Sequence, residues 1–188
     1  MKVVLFNGSP RKEGNTYHCL NVVMDELKAA GIECDYNWIG MEKMQGCTAC
    51  MKCRENGDQK CVLTGDKMND YIEKMINSDG IIIGSPTYYS NLTTNTKALI
   101  ERCGFAAGRK LKHKVGAAVI AVRRAGANHA FSSINYFFLI NQMFVVGSSY
   151  WNVGIGRQAG EVLDDEEGIE TFENLGKNFA FLLEKLKK

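Results

Sequence analysis

Two prolines among 188 residues are too few for a proline-rich linker or stalk. Excess charge is also missing: 23 Lys+Arg stand against 21 Asp+Glu, a net of +2. A nucleic-acid binder would usually show a concentrated basic patch instead. No apolar run approaches the roughly 20 residues that cross a bilayer. The apolar stretch that opens the chain is short and stops at Gly8-Ser9-Pro10, unlike a signal peptide, so the expected location is cytoplasmic.

What is present is enough apolar material for a core, 45% of the residues, which excludes disorder. Val3–Phe6, Ile81–Ile83 and Val115–Val122 are continuous apolar runs, the mark of strands buried on both faces. Ile32–Ile39 is a weaker strand and Val145-Val146 a short one. Between them lie helical periods, such as Leu20, Val23, Met24 and Leu27, and Met68, Tyr71, Ile72, Met75 and Ile76. Five alternations of strand and helix predict an α/β fold, a doubly wound five-stranded parallel sheet between two helical layers. The length suits a single domain over residues 1–188, with an aperiodic, cysteine-rich loop at 40–66. Such sheets bind ligands at the carboxyl ends of their strands, which directs attention to three loops.

The first loop runs from Asn7 to Thr16 and leads into a helix, whose free N–H groups and partial positive charge suit a phosphate. Gly8 and Gly14 permit tight turns, Ser9, Asn15 and Thr16 offer hydrogen bonds, and Arg11 adds a forked charge. It is not a Walker A loop, because five residues separate the glycines and Asn15 stands where that motif has lysine. The loop also lacks Gly-x-Gly-x-x-Gly. A plain Asn/Thr helix cap is the alternative reading. The second loop, Ser85 to Asn91, carries Tyr88 and Tyr89, which suit a flat polar heterocycle, or pack over the sheet edge or into a subunit contact. The third, Val122 to Asn128, carries Arg123 and Arg124, which need solvent or an anion.

Four of the seven cysteines, Cys47, Cys50, Cys53 and Cys61, fall within fifteen positions. Two Cys-x-x-Cys steps sharing a middle cysteine can bring three thiolates to one centre, and Cys61 adds a fourth. That set suits a [4Fe–4S] cluster, accepts zinc, or consists of free thiols. Lys43, Lys52, Arg54, Lys60 and Lys67 are the cations expected to favour thiolate. Cys19, Cys34 and Cys103 lie in apolar surroundings and read as buried small hydrophobes.

Gly8-Ser9-Pro10-Arg11-x-x-Gly14-Asn15-Thr16, then Ser85-Pro86-Thr87-Tyr88, Lys97 and Glu101-Arg102, resembles the flavodoxin-like NADPH-dependent FMN reductase family over essentially the whole chain. The cysteine group followed by Gly65-Asp66-Lys67-Met68 is similar to its iron–sulfur flavoprotein branch. Lys67 stands where that branch commonly has a second acidic residue, and the seven residues between Cys53 and Cys61 are at the long end of its range. The resemblance implies a flavodoxin-like three-layer sandwich. It places Ser9, Arg11, Asn15 and Thr16 on an FMN phosphate, with Gly14 in the turn. Pro86, Thr87, Tyr88, Tyr89 and Ser90 would lie along the isoalloxazine ring, with Arg123 and Gly126 on its far side. It implies a [4Fe–4S] cluster on the four loop cysteines.

FMN itself carries the electrons, so no catalytic side chain is expected. NAD(P)H or a redox protein would be the donor, a small molecule or redox protein the acceptor. Neither nucleic acid nor membrane is expected as a partner, and a homodimer or homotetramer is implied. A cluster-free NAD(P)H:quinone or flavin reductase and a non-redox module with a zinc knuckle are the competing functions.

Overall fold

The computed structural model describes residues 1–187. Six strands alternate with helices: β1 (Lys2–Asn7), β2 (Glu33–Trp38), β3 (Gly80–Pro86), β4 (Val115–Val122), β5 (Phe144–Val145) and β6 (Val153–Ile155). The helices are α1 (Asn15–Ala29), the one-turn α2 (Lys52–Asn56), α3 (Met68–Ile76), α4 (Thr94–Ala107), α5 (Ala127–Ile140) and α6 (Glu166–Leu186). All strand pairings are parallel, in the order β2-β1-β3-β4-β5, with β6 also on β4. The order reverses at β1, so a crevice opens above β1 and β3.

Alternation within each strand sorts the core into two layers. Val4, Phe6, Ile81 and Ile83 pack with α3, α4 and α5, while Val3, Leu5 and Ile82 pack with α1 and α6. Each fully buried Ile or Leu there contributes about 1.5–3 kcal/mol relative to an exposed one. Gly84 lets α1 approach β3, since a Cβ there would meet Leu20 Cδ1 at 2.8 Å.

The five-position parallel sheet is as expected, with one added detail, and the expectation for Cys34 needs correction. The fifth sheet position is divided between β5 and β6. The chain leaves the sheet at 147–151, and Asn152 fills the gap: its carbonyl accepts from Ile120 N at 3.0 Å and its Nδ2 donates to Ala118 O at 2.9 Å. A strand of three residues, Val153–Ile155, is too short to announce itself by pattern. Cys34 is only half-buried, because β2 is an edge strand; Cys19 and Cys103 are in the core as expected. No helix among the described residues is long and apolar enough to cross a membrane.

Candidate functional site

The three strand-end loops meet. Gly8 N donates to Gly84 O at 2.9 Å, and Thr93 Oγ1 donates to Gly8 O at 2.8 Å. There is no room for a larger residue at 8, since a Cβ would fall 1.8 Å from Thr96 Oγ1. Ser9 N donates to Asn7 Oδ1 at 2.9 Å, Ser9 Oγ accepts from Arg11 N at 3.2 Å, and Trp38 Nε1 donates to Ser9 O at 2.7 Å. The loop is thus held from both sides before any ligand arrives.

Above it begins α1, whose N-cap Gly14 supplies no side-chain cap. Thr16 is 1% exposed, and its Oγ1 is buried without a hydrogen-bond partner. A buried hydroxyl with no acceptor or donor costs stability, about 1–3 kcal/mol, unless a ligand completes it. Together an open helix N-terminus and an orphaned hydroxyl form a cradle for a small anion. Arg11 is exposed at its rim. The Asn15 Oδ1 accepts from Gly160 N at 2.8 Å and Val162 N at 3.5 Å, and its Nδ2 lies against Gly156.

The second loop is a tight hairpin. Tyr88 and Asn91 exchange both backbone hydrogen bonds at 2.9 Å, with Tyr89 (φ 49°) and Ser90 (φ 59°) left-handed between them. Two consecutive non-glycine residues in that region are strained, and such strain clusters at ligand clamps. Tyr89 is fully exposed and Tyr88 half-exposed, so neither packs over the sheet edge. Thr87 N donates to Ala121 O at 2.9 Å, and Thr87 Oγ1 is a second buried hydroxyl without a partner. Pro86 ends β3 beside it. Gly126 (φ 86°) comes so close to the hairpin that a Cβ would meet Ser90 Oγ at 2.4 Å. Arg123 is exposed beyond it, and a depression of about 360 Å³ lies between the third loop and Tyr150 and Trp151.

The cysteine loop lies on the far side of α4. Cys47, Cys50, Cys53 and Cys61 all line one small cavity of about 20 Å³, closed by Arg102 and Phe105. Ala49 (φ 54°), Met51 (φ 59°) and Gln59 (φ 58°) are left-handed between the thiols. Among the described residues no three His, Cys, Asp or Glu side chains converge closely enough to hold a single metal ion. Hydrogen bonds from Lys52 N–H and the Thr48 hydroxyl hold the Cys50 thiol below its ordinary pKa, while burial and the neighbouring thiols push Cys53 up.

Three of the cations expected around these thiols have partners of their own. Lys52 pairs with Glu55 and Lys67 with Glu42, both at 2.7 Å, and Arg54 stacks over Phe105 at 5.3 Å. The cation that does reach a thiol is Arg102, whose Nε donates to Cys61 Sγ at 3.3 Å. Arg102 is fully buried and paired with Asp66. Burial alone would lift the Asp66 carboxyl, but the Arg102 and Met68 N–H hydrogen bonds outweigh it and hold the group below the usual range. Sequence reasoning passed over Arg102 as a functional residue. The signal was its place three residues after Leu99 and next to Cys103, on the apolar stripe of α4.

A switch-point crevice with an anion cradle and an aromatic hairpin defines a flavodoxin-like protein. Residues 1–158 match the family model of NADPH-dependent FMN reductase. An iron–sulfur flavoprotein of Methanocaldococcus jannaschii is 35% identical, covering 100% of both chains. Another from Methanosarcina thermophila is 33% identical over 100% of this chain and 98% of its own. Among solved structures, a flavodoxin, WrbA-like protein from Agrobacterium tumefaciens superposes with a TM-score of 0.68 at 14% identity, covering 99% of this chain and 98% of that one. The chain belongs to the NADPH-dependent FMN reductase family, and its function is FMN-dependent redox chemistry.

Proposed function

We propose that the chain, as one flavodoxin-like unit, binds FMN in the crevice and carries a [4Fe–4S] cluster on the cysteine loop. It then moves electrons from a reduced donor to an acceptor. Ser9, Arg11, Gly14, Asn15 and Thr16 hold the phosphate. Pro86 to Ser90 lie along the ring, and Arg123 and Gly126 face its far side. The observation that carries the flavin reading is the orphaned Thr16 Oγ1 at the uncapped start of α1, a buried donor that a phosphate oxygen satisfies. Bound FMN accepts a hydride and passes single electrons, so the residues need only orient it and screen it from water.

Cys47, Cys50, Cys53 and Cys61 supply the four thiolates that such a cluster takes. All four thiols line one cavity, and the iron–sulfur flavoproteins that this chain resembles support reading the set as cluster ligands. Direct reduction of the flavin by NAD(P)H is a second reading, favoured by the exposed Tyr88 and Tyr89 and the open depression at Tyr150 and Trp151. Exposed Tyr136, Ile140 and Phe144 favour a homodimer or homotetramer.

Anaerobic purification followed by an absorption spectrum and iron and flavin analysis tests the first reading. One FMN and about four irons per chain are expected. FMN without iron would leave the cluster-free reductase, and bleaching of the flavin band by NADH or NADPH alone would support it.

A further inference from the structure

We propose that α4 pins both ends of the cysteine loop through two consecutive residues. Glu101 anchors Cys47, and Arg102 is the positioning residue that presents the Cys61 sulfur and favours the reduced form of a bound cluster. The inference rests on the cluster reading above.

The geometry is specific to the two terminal cysteines. Glu101 Oε2 accepts from Cys47 N at 3.3 Å. Arg102 uses all three of its nitrogens, mostly on the Cys61 end, with one bond to Gln45 beside Cys47. Nε donates to Cys61 Sγ at 3.3 Å, Nη2 to Leu63 O at 2.7 Å, and Nη1 to both Gln45 O at 3.3 Å and Asp66. Cys61 is held further by Asn69, whose Oδ1 accepts from Cys61 N at 2.8 Å and whose Nδ2 donates to Cys61 O at 3.0 Å.

The middle of the loop meets α4 only through Arg54 stacked over Phe105, with no hydrogen bond from α4 to Cys50 or Cys53. Cys50 is exposed and Cys53 half-buried on a helix of five residues. A cavity of about 20 Å³ has to widen to take four irons and four sulfides. With the ends fixed, only the segment between Cys47 and Cys61 rearranges, so less backbone order is lost on binding.

Arg102 does more than anchor. A buried guanidinium with an aliphatic stem beside Cys103 would be an expensive residue if its only role were packing. Its Nε–H points at sulfur, while the Asp66 carboxylate offsets much of its charge. Reducing a cluster would add one negative charge, and an N–H donated to one of its thiolates favours that form.

The test uses the full chain with FMN bound, its loop reconstituted anaerobically with ferrous iron and sulfide. Iron per FMN and the EPR-monitored midpoint potential are read for wild type, Arg102→Gln, Arg102→Lys and Glu101→Gln. Arg102→Gln should keep FMN, bind iron about tenfold more weakly, and show a more negative midpoint. Arg102→Lys should fall between it and wild type. Glu101→Gln should lower iron uptake and leave the midpoint unmoved, because it touches a backbone N–H and not a sulfur. Wild type that takes up no iron would overturn the cluster reading and this inference with it. Loaded wild type with an Arg102→Gln variant equal in iron and midpoint would overturn the inference alone. Loss of FMN together with iron in both Arg102 variants would make Arg102 a general core residue, and would overturn it too.

Discussion

Replacing Thr16 by Val separates the energetics of the empty and the filled cradle, because the two should move in opposite directions. The Thr16 methyl packs toward Gly84, where a Cβ would lie 3.0 Å from it, and Val keeps that methyl. Only the hydroxyl changes. In the empty protein this hydroxyl is buried and unpartnered, so its removal relieves a penalty of about 1–3 kcal/mol. The apoprotein should therefore be as stable as wild type or more so. On the proposed placement the same hydroxyl donates to a charged phosphate oxygen of FMN, a bond worth about 1.5–3 kcal/mol. FMN affinity should fall about 10- to 150-fold at 1.4 kcal/mol per tenfold. Riboflavin lacks the phosphate and should bind within about twofold of wild type, since that margin is below about 0.5 kcal/mol. Fluorescence titration with both flavins at one ionic strength measures the first pair of numbers, and urea denaturation of the apoprotein the second. Equal weakening of FMN and riboflavin would refute the placement of the phosphate. A destabilised apoprotein would refute the claim that the hydroxyl waits for a ligand.

Three further outcomes follow from the same geometry. Cys→Ser at positions 47, 50, 53 and 61 should each abolish or sharply reduce iron per FMN, while Cys→Ser at 19, 34 and 103 should keep it; iron analysis of anaerobic protein decides. Gly126→Ala should destabilise the protein by about 1–3 kcal/mol, from a left-handed alanine and a Cβ driven into Ser90, and should weaken FMN; unchanged denaturation and affinity would show that the third loop stands clear of the crevice. Glu161 accepts from Arg157 N at 2.7 Å and Gln158 N at 2.8 Å, and these backbone bonds hold its pKa below the ordinary value. A depressed carboxylate pKa stabilises above the unfolded value, about 4.3, and that contribution is lost as pH falls through the folded value. Amide exchange at Arg157 and Gln158, corrected for intrinsic rates, should therefore lose protection as pH falls below the ordinary carboxylate range, and in Glu161→Ala at any pH.

Much of the architecture was written in local pattern. A continuous run such as Ile81-Ile82-Ile83 cannot face water on either side, so burial between two helical layers follows from composition alone. The proposed cradle is suggested by local pattern in the same way: glycines, small hydroxyls and a helix start are contiguous between Gly8 and Thr16. The cysteine spacing was equally local.

Partnerships across the chain were decided only by the tertiary structure. Asn15 stands in the first loop, and its oxygen accepts from Gly160 N, a partner 145 positions away that no local pattern shows. Five cations near the cysteines looked like the counter-charge, and the one that reaches a thiol, Arg102, comes from a helix 41 positions beyond Cys61. The division of the last sheet position into β5 and β6 depended on Asn152 meeting Ile120 and Ala118. Periodicity reports which face a residue turns to the core, because burial is a property of one side chain. A hydrogen bond or ion pair needs two groups at a fixed distance, and only the packed chain sets that distance.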